Sequence, residues 1–356
     1  MRIDLLRAHH LRCFDSVEIA PGPRLNWLVG PNGAGKTSLL EAVYLLSHGH
    51  SFRAGARDAL IQRDRSGFDL FAELSRKQAG HRLGLARQVG GDWRVQVDGE
   101  ARATFAPLLE LCAVVCFEPG SHALITGAAE LRRRFLDWGV FHVEHHSLNR
   151  WRDYRRALRQ RNALLKHENG SDQFGFWEAE LGRLGELIDQ SRRAYFDVLQ
   201  QHVSGLASAL LPELGEPRLN FRSGWNREHP LRESLATHRV QDIARGHTRL
   251  GPHHADWRLE FAQAPGREFL SRGQTKLAAL ACVLAQAAVF ASQWEEWPIL
   301  CLDDLISELD EAHQRLVLEW VAERPAQVWL TATQHPGTNW PEAERFHVEH
   351  GLLSRA

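Results

Sequence analysis

The chain has 356 residues, 44% of them hydrophobic, enough for a sizeable core divided between two lobes. A formal net charge of -1 excludes global attraction to nucleic acid or to a membrane surface, so any polyanion must be met by a local basic patch. No apolar run reaches the roughly 18 residues of a membrane span, and the N-terminus "MRIDLLRAHHLRCF" is too charged for a signal peptide; a cytoplasmic protein without a membrane partner is expected.

The first clear element is "RLNWLVG" at 24 to 30, a short apolar run ending in glycine. It is followed by "PNGAGKTSLLEAVYLLS", whose apolar residues recur at helical spacing, so the order is strand, loop, helix. From 67 to 99 apolar and polar residues alternate, and "DGE" at 98 to 100 offers a hairpin turn, which predicts a small antiparallel sheet. "LCAVVCF" at 111 to 117 is the continuous apolar pattern of a strand covered on both faces. Between about 128 and 212 the pattern turns helical, interrupted by a loop at "HENGSDQFG". The tail returns to alternation: "HADWRLEF", a helix after Gly273, "PILCLDD", a helix from about 311, and "AQVWLTAT". These pieces are expected to rejoin the N-terminal sheet, giving an α/β domain built from 1–127 and 245–356 with a mainly helical lobe inserted over 128–244.

Five cysteines form an odd, irregularly spaced set. Cys112, Cys116, Cys282 and Cys301 lie in apolar runs, as reduced core thiols do. Cys112 and Cys116 make at most half a metal site, since no second Cys pair follows. The repeated "FHVEH", at 141 to 145 and 346 to 350, lacks flanking similarity and is read as coincidence.

The strongest motif is Gly30-Pro31-Asn32-Gly33-Ala34-Gly35-Lys36-Thr37, which fits G-x-x-x-x-G-K-[ST] in the strand-to-helix context the motif requires. With Ser38 it supplies the residues expected to hold ATP. The glycines let backbone amides face phosphate oxygens, Lys36 reaches the β and γ oxygens, and Thr37 offers a hydroxyl to Mg2+. "PILCLDD" delivers Asp303 to a strand's carboxyl end, where it can hold the same Mg2+ opposite the loop, leaving Asp304 to orient or deprotonate water. Paired acids after a strand also serve as a helix N-cap, and the P-loop favours the catalytic reading. Near the other end, Ser271, Arg272, Gly273 and Gln274 open an apolar helix with bare amides, a second anion-attracting terminus. With the nucleotide's own side already filled by the P-loop, that terminus best serves a γ-phosphate held by a second subunit, which predicts an ATP-dependent homodimer with two buried nucleotides. The alternative is a capped core helix.

Between 132 and 166 stand ten Arg or Lys against three acids. Arg132, Arg133, Arg152, Arg155, Arg156 and Arg159 are the candidates for DNA phosphates, against the alternatives of a solvated face or pairing with acids elsewhere. Trp138 and Trp151 are candidates for base stacking or for the core. His142 and His146, one helical turn apart, form a conceivable metal pair.

"LVGPNGAGKTSLLEAVYLLS" with "SFR" at 51 to 53, "FEPGSHALITGAAELRRRFLD", "TRLGPHHAD", "FLSRGQTK" and "LDDLISELD" together resemble the ABC/SMC-type ATPase heads of DNA-maintenance proteins, in particular the recombination mediators, over nearly the whole length. The resemblance implies a P-loop ABC-type head: a mixed sheet with flanking helices, a small antiparallel sheet and an inserted helical lobe. It makes Ser271 to Gln274 the signature motif acting in trans, Asp303 and Asp304 the Walker B pair, and "SELD" at 307 to 310 the loop coupling two active sites. It further implies weak DNA-stimulated ATPase activity, DNA partners at single-strand and duplex junctions, and mediator partners such as RecR and RecO. His254 and Ala255 depart from the Arg and Asp of the pattern, and Thr333 stands where transporter heads carry a switch histidine, with Gln334 and His335 beside it. An ABC transporter subunit and a nucleotide-gated scaffold with little hydrolysis are the rival readings.

Overall fold

The computed structural model describes residues 1–53, 55–144, 147–166, 171–334 and 343–356. The chain opens with β1 (Arg2–Leu11), β2 (Phe14–Ile19), β3 (Leu25–Val29) and α1 (Lys36–His48). It continues through β4 (Gly67–Arg76), β5 (Ala79–Gln88), β6 (Trp93–Val97), β7 (Glu100–Arg102), α2 (Ala106–Leu111) and β8 (Val114–Phe117). Then follow α3 (Ala123–Thr126), α4 (Ala129–Val143), α5 (Ser147–Lys166), α6 (Ser171–Leu210), β9 (Pro217–Arg222), α7 (Leu231–Thr237), α8 (Arg239–Arg245) and β10 (Asp256–Phe261). The remainder is α9 (Arg272–Trp294), β11 (Ile299–Leu302), α10 (Leu305–Glu308), α11 (Glu311–Ala322), β12 (Val328–Ala332), β13 (Glu344–Glu349) and β14 (Leu352–Arg355).

β3, β11 and β12 are buried at every position, the pattern of strands covered on both faces. With β8, β13 and β14 they form a sheet of order β14-β13-β3-β12-β11-β8, parallel except for the β13–β14 hairpin. Because β3, β12, β11 and β8 run the same way, the residues following them gather along one carboxyl edge, where open α/β sheets bind ligands. A second, antiparallel sheet has the order β2-β1-β4-β5-β6-β7. Its last turn is the expected one, with Asp98 and Gly99 both at positive φ (54° and 84°) between paired Val97 and Glu100. One apolar cluster runs through both sheets and α1, taking in Leu6, Phe14 and Phe68, Leu39 and Leu46, and Cys301 and Trp329. Buried Gln327 also ties the sheets: its Nε2 donates to Ile3 O (2.9 Å) and Gly22 O (2.9 Å), and its Oε1 accepts from Ile3 N (2.8 Å).

The antiparallel sheet is larger than the alternation over 67 to 99 indicates, since β1 and β2 join it. A bulge between Ile3 and Leu5 breaks the register of β1, so its buried residues Ile3, Leu6 and Ala8 do not follow a simple period of two.

The chain divides into two compact units, Met1–Ser121 with Val283–Ala356, and His122–Cys282. The second unit thus reaches beyond 128–244 at both ends. "HADWRLEF" does not rejoin the N-terminal sheet: as β10 it pairs antiparallel with β9, from Asp256 opposite Arg222 to Phe261 opposite Pro217. That pairing holds the 245–271 segment to the helices of the second unit. The expected loop "HENGSDQFG" is shortened from its far side, because α6 already begins at Ser171 and runs 40 residues; 167–170 lie outside the described residues.

Ion pairs closed inside the second unit consume several basic residues. Arg161, fully buried, donates to Asp242 Oδ2 (2.8 Å) and to Glu178 Oε1 (3.2 Å), and both acids are buried too. Arg192 is paired with Asp137 (2.8 Å) and Arg132 with Asp256 (2.7 Å). Removing one partner from such a buried pair destabilises a protein by about 3–5 kcal/mol, because the other charge is left stranded. "TRLGPHHAD" belongs to the same scaffold. The Thr248 hydroxyl accepts from Arg161 (2.8 Å), Pro252 O accepts from Arg192 (2.6 Å), and Tyr154 Oη lies 2.7 Å from His253 Nδ1. Burial, reinforced by His254, takes the His253 pKa down to about 4, so the ring is neutral at physiological pH.

α9 corrects the expectation that no segment has the length and apolarity of a membrane span. Arg272–Trp294 does, but 72% of its most apolar window is buried within the protein, the burial of a core helix. "FHVEH" forms the end of helix α4 at Phe141–Val143 and part of strand β13 at its second occurrence, so the two copies share no structure.

Candidate nucleotide site

β3 ends at Val29, and the chain then passes so close to β13 that a Cβ on Gly30 would collide with the carbonyl oxygen of Val348. Gly35, the residue before α1, has φ 117°, and a Cβ there would meet Phe14 Cζ at 2.6 Å and Cys13 Sγ at 2.8 Å. Glycine is therefore imposed at one position by the neighbouring strand and at the other by backbone conformation as well as space. No side chain caps α1, so the first-turn amides of Lys36, Thr37 and Ser38 are left for another acceptor. Lys36, only 6% exposed, donates from Nζ to Gly30 O (2.8 Å) and Pro31 O (3.0 Å). Burial lowers its pKa, an effect opposed by Asp304 and Asp303.

The parallel sheet brings "PILCLDD" to this loop. Thr37 Oγ1 donates to Asp303 Oδ1 at 3.0 Å, across 266 positions of sequence. Thr331 Oγ1 donates to the same oxygen at 2.7 Å. Asp303 is nearly buried, and burial raises its pKa against the lowering effect of these hydroxyls. Asp304 occupies the N-cap position of α10 with φ 51°, yet its side chain makes no cap hydrogen bond. Its Oδ1 is buried and has no partner among the described residues. The simple capping role is therefore absent at Asp304, whereas Asp310 does cap α11 by accepting from His313 N (3.0 Å).

An open cleft of about 740 Å³ lies over the loop, lined by Asn32, Gly33, Gly35, Lys36, Thr37 and Ser38 together with Arg12, Cys13, Arg53, Arg63 and Asp304. Its volume is that of a small-molecule site. Four cations against one carboxylate, beside uncapped helix amides, suit a polyanion such as a triphosphate. The Asp304 oxygen, buried and without a partner among the described residues, and the Thr37–Asp303 pair suit a hard cation such as Mg2+.

Arg12 and Arg53 were not legible as site residues. Both depend on Glu41, a fully buried acid of α1 that accepts from Arg12 Nε (2.7 Å) and Nη2 (2.5 Å), receives the Ser51 hydroxyl, and lies 3.9 Å from Arg53. The available signal was Glu41 itself, an acid inside the apolar run "LLEAVYLL". Thr331, a hydroxyl inside the apolar strand "VWLTA", was a similar signal.

Ser271 and Gln274 form a reciprocal capping box at the start of α9. Gln274 N donates to Ser271 Oγ (3.2 Å) and Ser271 N donates to Gln274 Oε1 (2.9 Å). Gln274 Nε2 also donates to Glu213 Oε1 (3.0 Å). Ser271, Arg272 and Gly273 are exposed. A Cβ on Gly273 would meet nothing nearer than Ser271 Oγ at 4.0 Å, so packing within the chain does not demand glycine there.

The six arginines proposed to meet DNA separate into two groups. Arg132 is withdrawn as a surface residue: 6% exposed, it is held by Asp256 and the carbonyl of Gly127 (2.8 Å). Arg133, half-buried, donates to Ala255 O (2.9 Å). Arg152, Arg155, Arg156 and Arg159 are exposed on α5, and their i, i+3, i+4, i+7 spacing puts them in one stripe. Tyr154, Ala157, Arg161 and Leu165 of the same helix face the interior. Trp151 packs against the core cluster around Tyr154, and Trp138 is half-buried beside His142. The proposed His142–His146 pair cannot be placed, because His146 lies outside the described residues; among those, no three potential ligands converge as a metal site. All five cysteines are free, and burial pushes Cys112 and Cys282 up to about 12, keeping them protonated. Thr333 and Gln334 are exposed just after β12, and His335 lies outside the described residues.

Residues 2–345 match the family described as the RecF/RecN/SMC N-terminal domain. The DNA replication and repair protein RecF of Stenotrophomonas maltophilia (strain R551-3) is 48% identical over 361 residues, covering 99% of each chain. That of Xanthomonas euvesicatoria pv. vesicatoria (strain 85-10) is 47% identical over 363 residues, covering 100% of this chain and 99% of its own. Among solved structures, the recombination mediator protein RecF-ATP in the RecFOR pathway superposes with a TM-score of 0.90 at 23% identity, covering 99% of this chain and 97% of that one. An Smc head bound to the C-winged helix domain of ScpA gives 0.62 at 15% identity, covering 100% and 97%. The structural likenesses establish the ABC/SMC-type ATPase-head fold, and the full-length sequence identities go further: the chain belongs to the RecF family of DNA replication and repair proteins.

Proposed function

We propose that this protein binds ATP with Mg2+ in the cleft over Gly30–Ser38, closes into a two-fold dimer around two nucleotides, and grips DNA at single-strand/duplex junctions. In this reading it acts in the cytoplasm to help recombinase loading, with RecR- and RecO-type mediators as partners, and slow, DNA-stimulated hydrolysis releases it. The observation that carries the proposal is the meeting of Thr37 and Asp303 at 3.0 Å beside a cation-lined cleft. Loop amides and Lys36 bind the phosphates, Thr37 and Asp303 hold the metal, and Asp304 orients or deprotonates the attacking water. Mg2+, when bound, neutralises charge on the transferring phosphoryl group. Ser271 to Gln274 complete the partner's site, where Gly273 leaves room for a phosphate to approach the backbone, and 307–310 couple the two sites. A transporter role is set aside by the family, whose curated members are named for DNA replication and repair.

Sedimentation of the full chain with and without ATP and Mg2+, repeated with a gapped duplex, tests the proposal. A dimer that needs ATP and a DNA complex that needs the dimer are expected; a monomer under all conditions refutes the dimeric clamp. Asp304→Asn should retain ATP and prolong the dimer while slowing hydrolysis by about 10²–10⁴-fold, the usual loss on removing a general base. Unchanged turnover in single-turnover assays removes Asp304 from that role. Asp303→Asn is expected to act in the same direction through the metal.

Reversing Arg155 and Arg159 to Glu should weaken duplex binding and reduce the slope of log affinity against log salt by roughly 2, about one for each phosphate no longer neutralised, with ATP affinity unchanged. Both residues are exposed on the α5 stripe, Arg155 with its guanidinium 5.6 Å from the centre of the Trp151 ring. An unaltered salt slope in fluorescence anisotropy assigns the stripe to solvent.

A further inference from the structure

β12 reads "VWLTA", and Thr331 is its single hydroxyl, fully buried. A hydroxyl sealed from water destabilises the fold unless it is hydrogen-bonded. Thr331 makes two bonds, both to the acids at the end of β11. Its Oγ1 donates to Asp303 Oδ1 at 2.7 Å and accepts from Asp304 N at 2.7 Å. One side-chain oxygen thus ties the carboxylate of the first acid to the backbone of the second. Asp304 sits in left-handed backbone, φ 51° and ψ 29°, a region that a non-glycine residue keeps when its surroundings impose it. The bond to its amide is part of that imposition, and the carboxylate of the same residue has its Oδ1 buried without a partner among the described residues.

From this geometry we infer that Thr331 is the positioning residue that keeps Asp303 and Asp304 in register for ATP hydrolysis. The inference rests on the reading that ATP is bound and hydrolysed in this cleft. Asp303 Oδ1 collects two hydroxyl donors, Thr37 at 3.0 Å and Thr331 at 2.7 Å. Thr37 lies in the first turn of α1 and has its own task toward the metal, whereas Thr331 lies inside the sheet and has none. Thr331 is therefore the donor that can hold the carboxylate whichever way the Thr37 hydroxyl turns. Residues that orient a metal-holding carboxylate in this manner typically change metal affinity or activity by about 10–100-fold when removed.

The test compares Thr331→Val, which keeps the branched shape and deletes the hydroxyl, with Thr331→Ser, which keeps the hydroxyl and deletes the methyl. Calorimetric titration with ATP, at several Mg2+ concentrations and without Mg2+, is run beside steady-state turnover and thermal melting. Thr331→Val is expected to bind ATP without Mg2+ as the wild type does, to lose most of the gain in affinity that Mg2+ brings, and to lower kcat by about 10–100-fold with KM little changed. Thr331→Ser is expected to restore both quantities to within about threefold, whatever its melting temperature. The inference is overturned if Thr331→Val keeps the wild-type Mg2+ dependence and kcat, or if Thr331→Ser is as impaired as Thr331→Val, which would make the residue a packing group. A wild-type chain that binds no ATP overturns the nucleotide reading itself, and the role of Thr331 with it.

Discussion

Lys36→Ala is expected to abolish tight ATP binding while leaving the fold intact. Lys36 is the cation of the P-loop itself, and it approaches the cleft from a buried position. Its ammonium rests on Gly30 O and Pro31 O, so it is already desolvated and held at the mouth of the amide cradle. A charge-assisted hydrogen bond is worth about 1.5–3 kcal/mol. Without the ammonium on two phosphate groups, ATP is therefore expected to bind roughly 100-fold or more weakly, at about 1.4 kcal/mol per decade. Pro31 is exposed and Gly30 is buried, so the variant leaves one buried carbonyl without its donor, and melting of the nucleotide-free protein should fall by the equivalent of about 1–3 kcal/mol, short of unfolding. Calorimetric titration of the variant decides the matter: wild-type affinity removes the P-loop assignment, whatever Arg12, Arg53 and Arg63 contribute to the cleft.

Ser271→Arg should permit ATP binding yet block both ATP-dependent dimerisation and hydrolysis. Ser271, Arg272 and Gly273 are exposed at the start of α9, and beside Gly273 there is free space where a side chain would stand. The substitution removes Oγ from the capping box, which costs about 0.5–2 kcal/mol of local stability. It also places a long cation where a second subunit's γ-phosphate is proposed to sit, and crowding of the closed interface is the larger effect. Mixing the two variants sharpens the test. A Ser271→Arg subunit brings an intact P-loop and a Lys36→Ala subunit brings an intact signature, so one composite site can form. Partial dimerisation or turnover should appear in the mixture and in neither variant alone. Normal ATP-dependent dimerisation of Ser271→Arg by itself would leave Ser271 to Gln274 as a capped helix end and nothing more.

Elements that close over a few residues were legible in the amino-acid order alone. Gly30 to Thr37 declared a strand, a loop and a helix because glycine, lysine and threonine at that spacing have few other uses, and Asp98-Gly99 declared a hairpin because both residues tolerate positive φ. The apolar runs at β8, β11 and β12 declared strands, the first of them covered on both faces. Which of these elements meet depends on the packing of the whole sheet. Thr37 and Asp303, 266 positions apart, touch because β3, β12 and β11 are adjacent and parallel, and strand order is carried by packing spread over the whole sheet. The same limit hid Arg12, Arg53 and Thr331, whose placement depends on Glu41 and on the acids of a neighbouring strand. It also made Arg132 look available, since neither its burial nor its partner Asp256 can be read from local spacing. The expectation that "HADWRLEF" rejoins the N-terminal sheet failed for a related reason: an amphipathic strand shows which of its faces is apolar, and its pairing, here with β9, is settled by whichever edge the rest of the chain brings beside it.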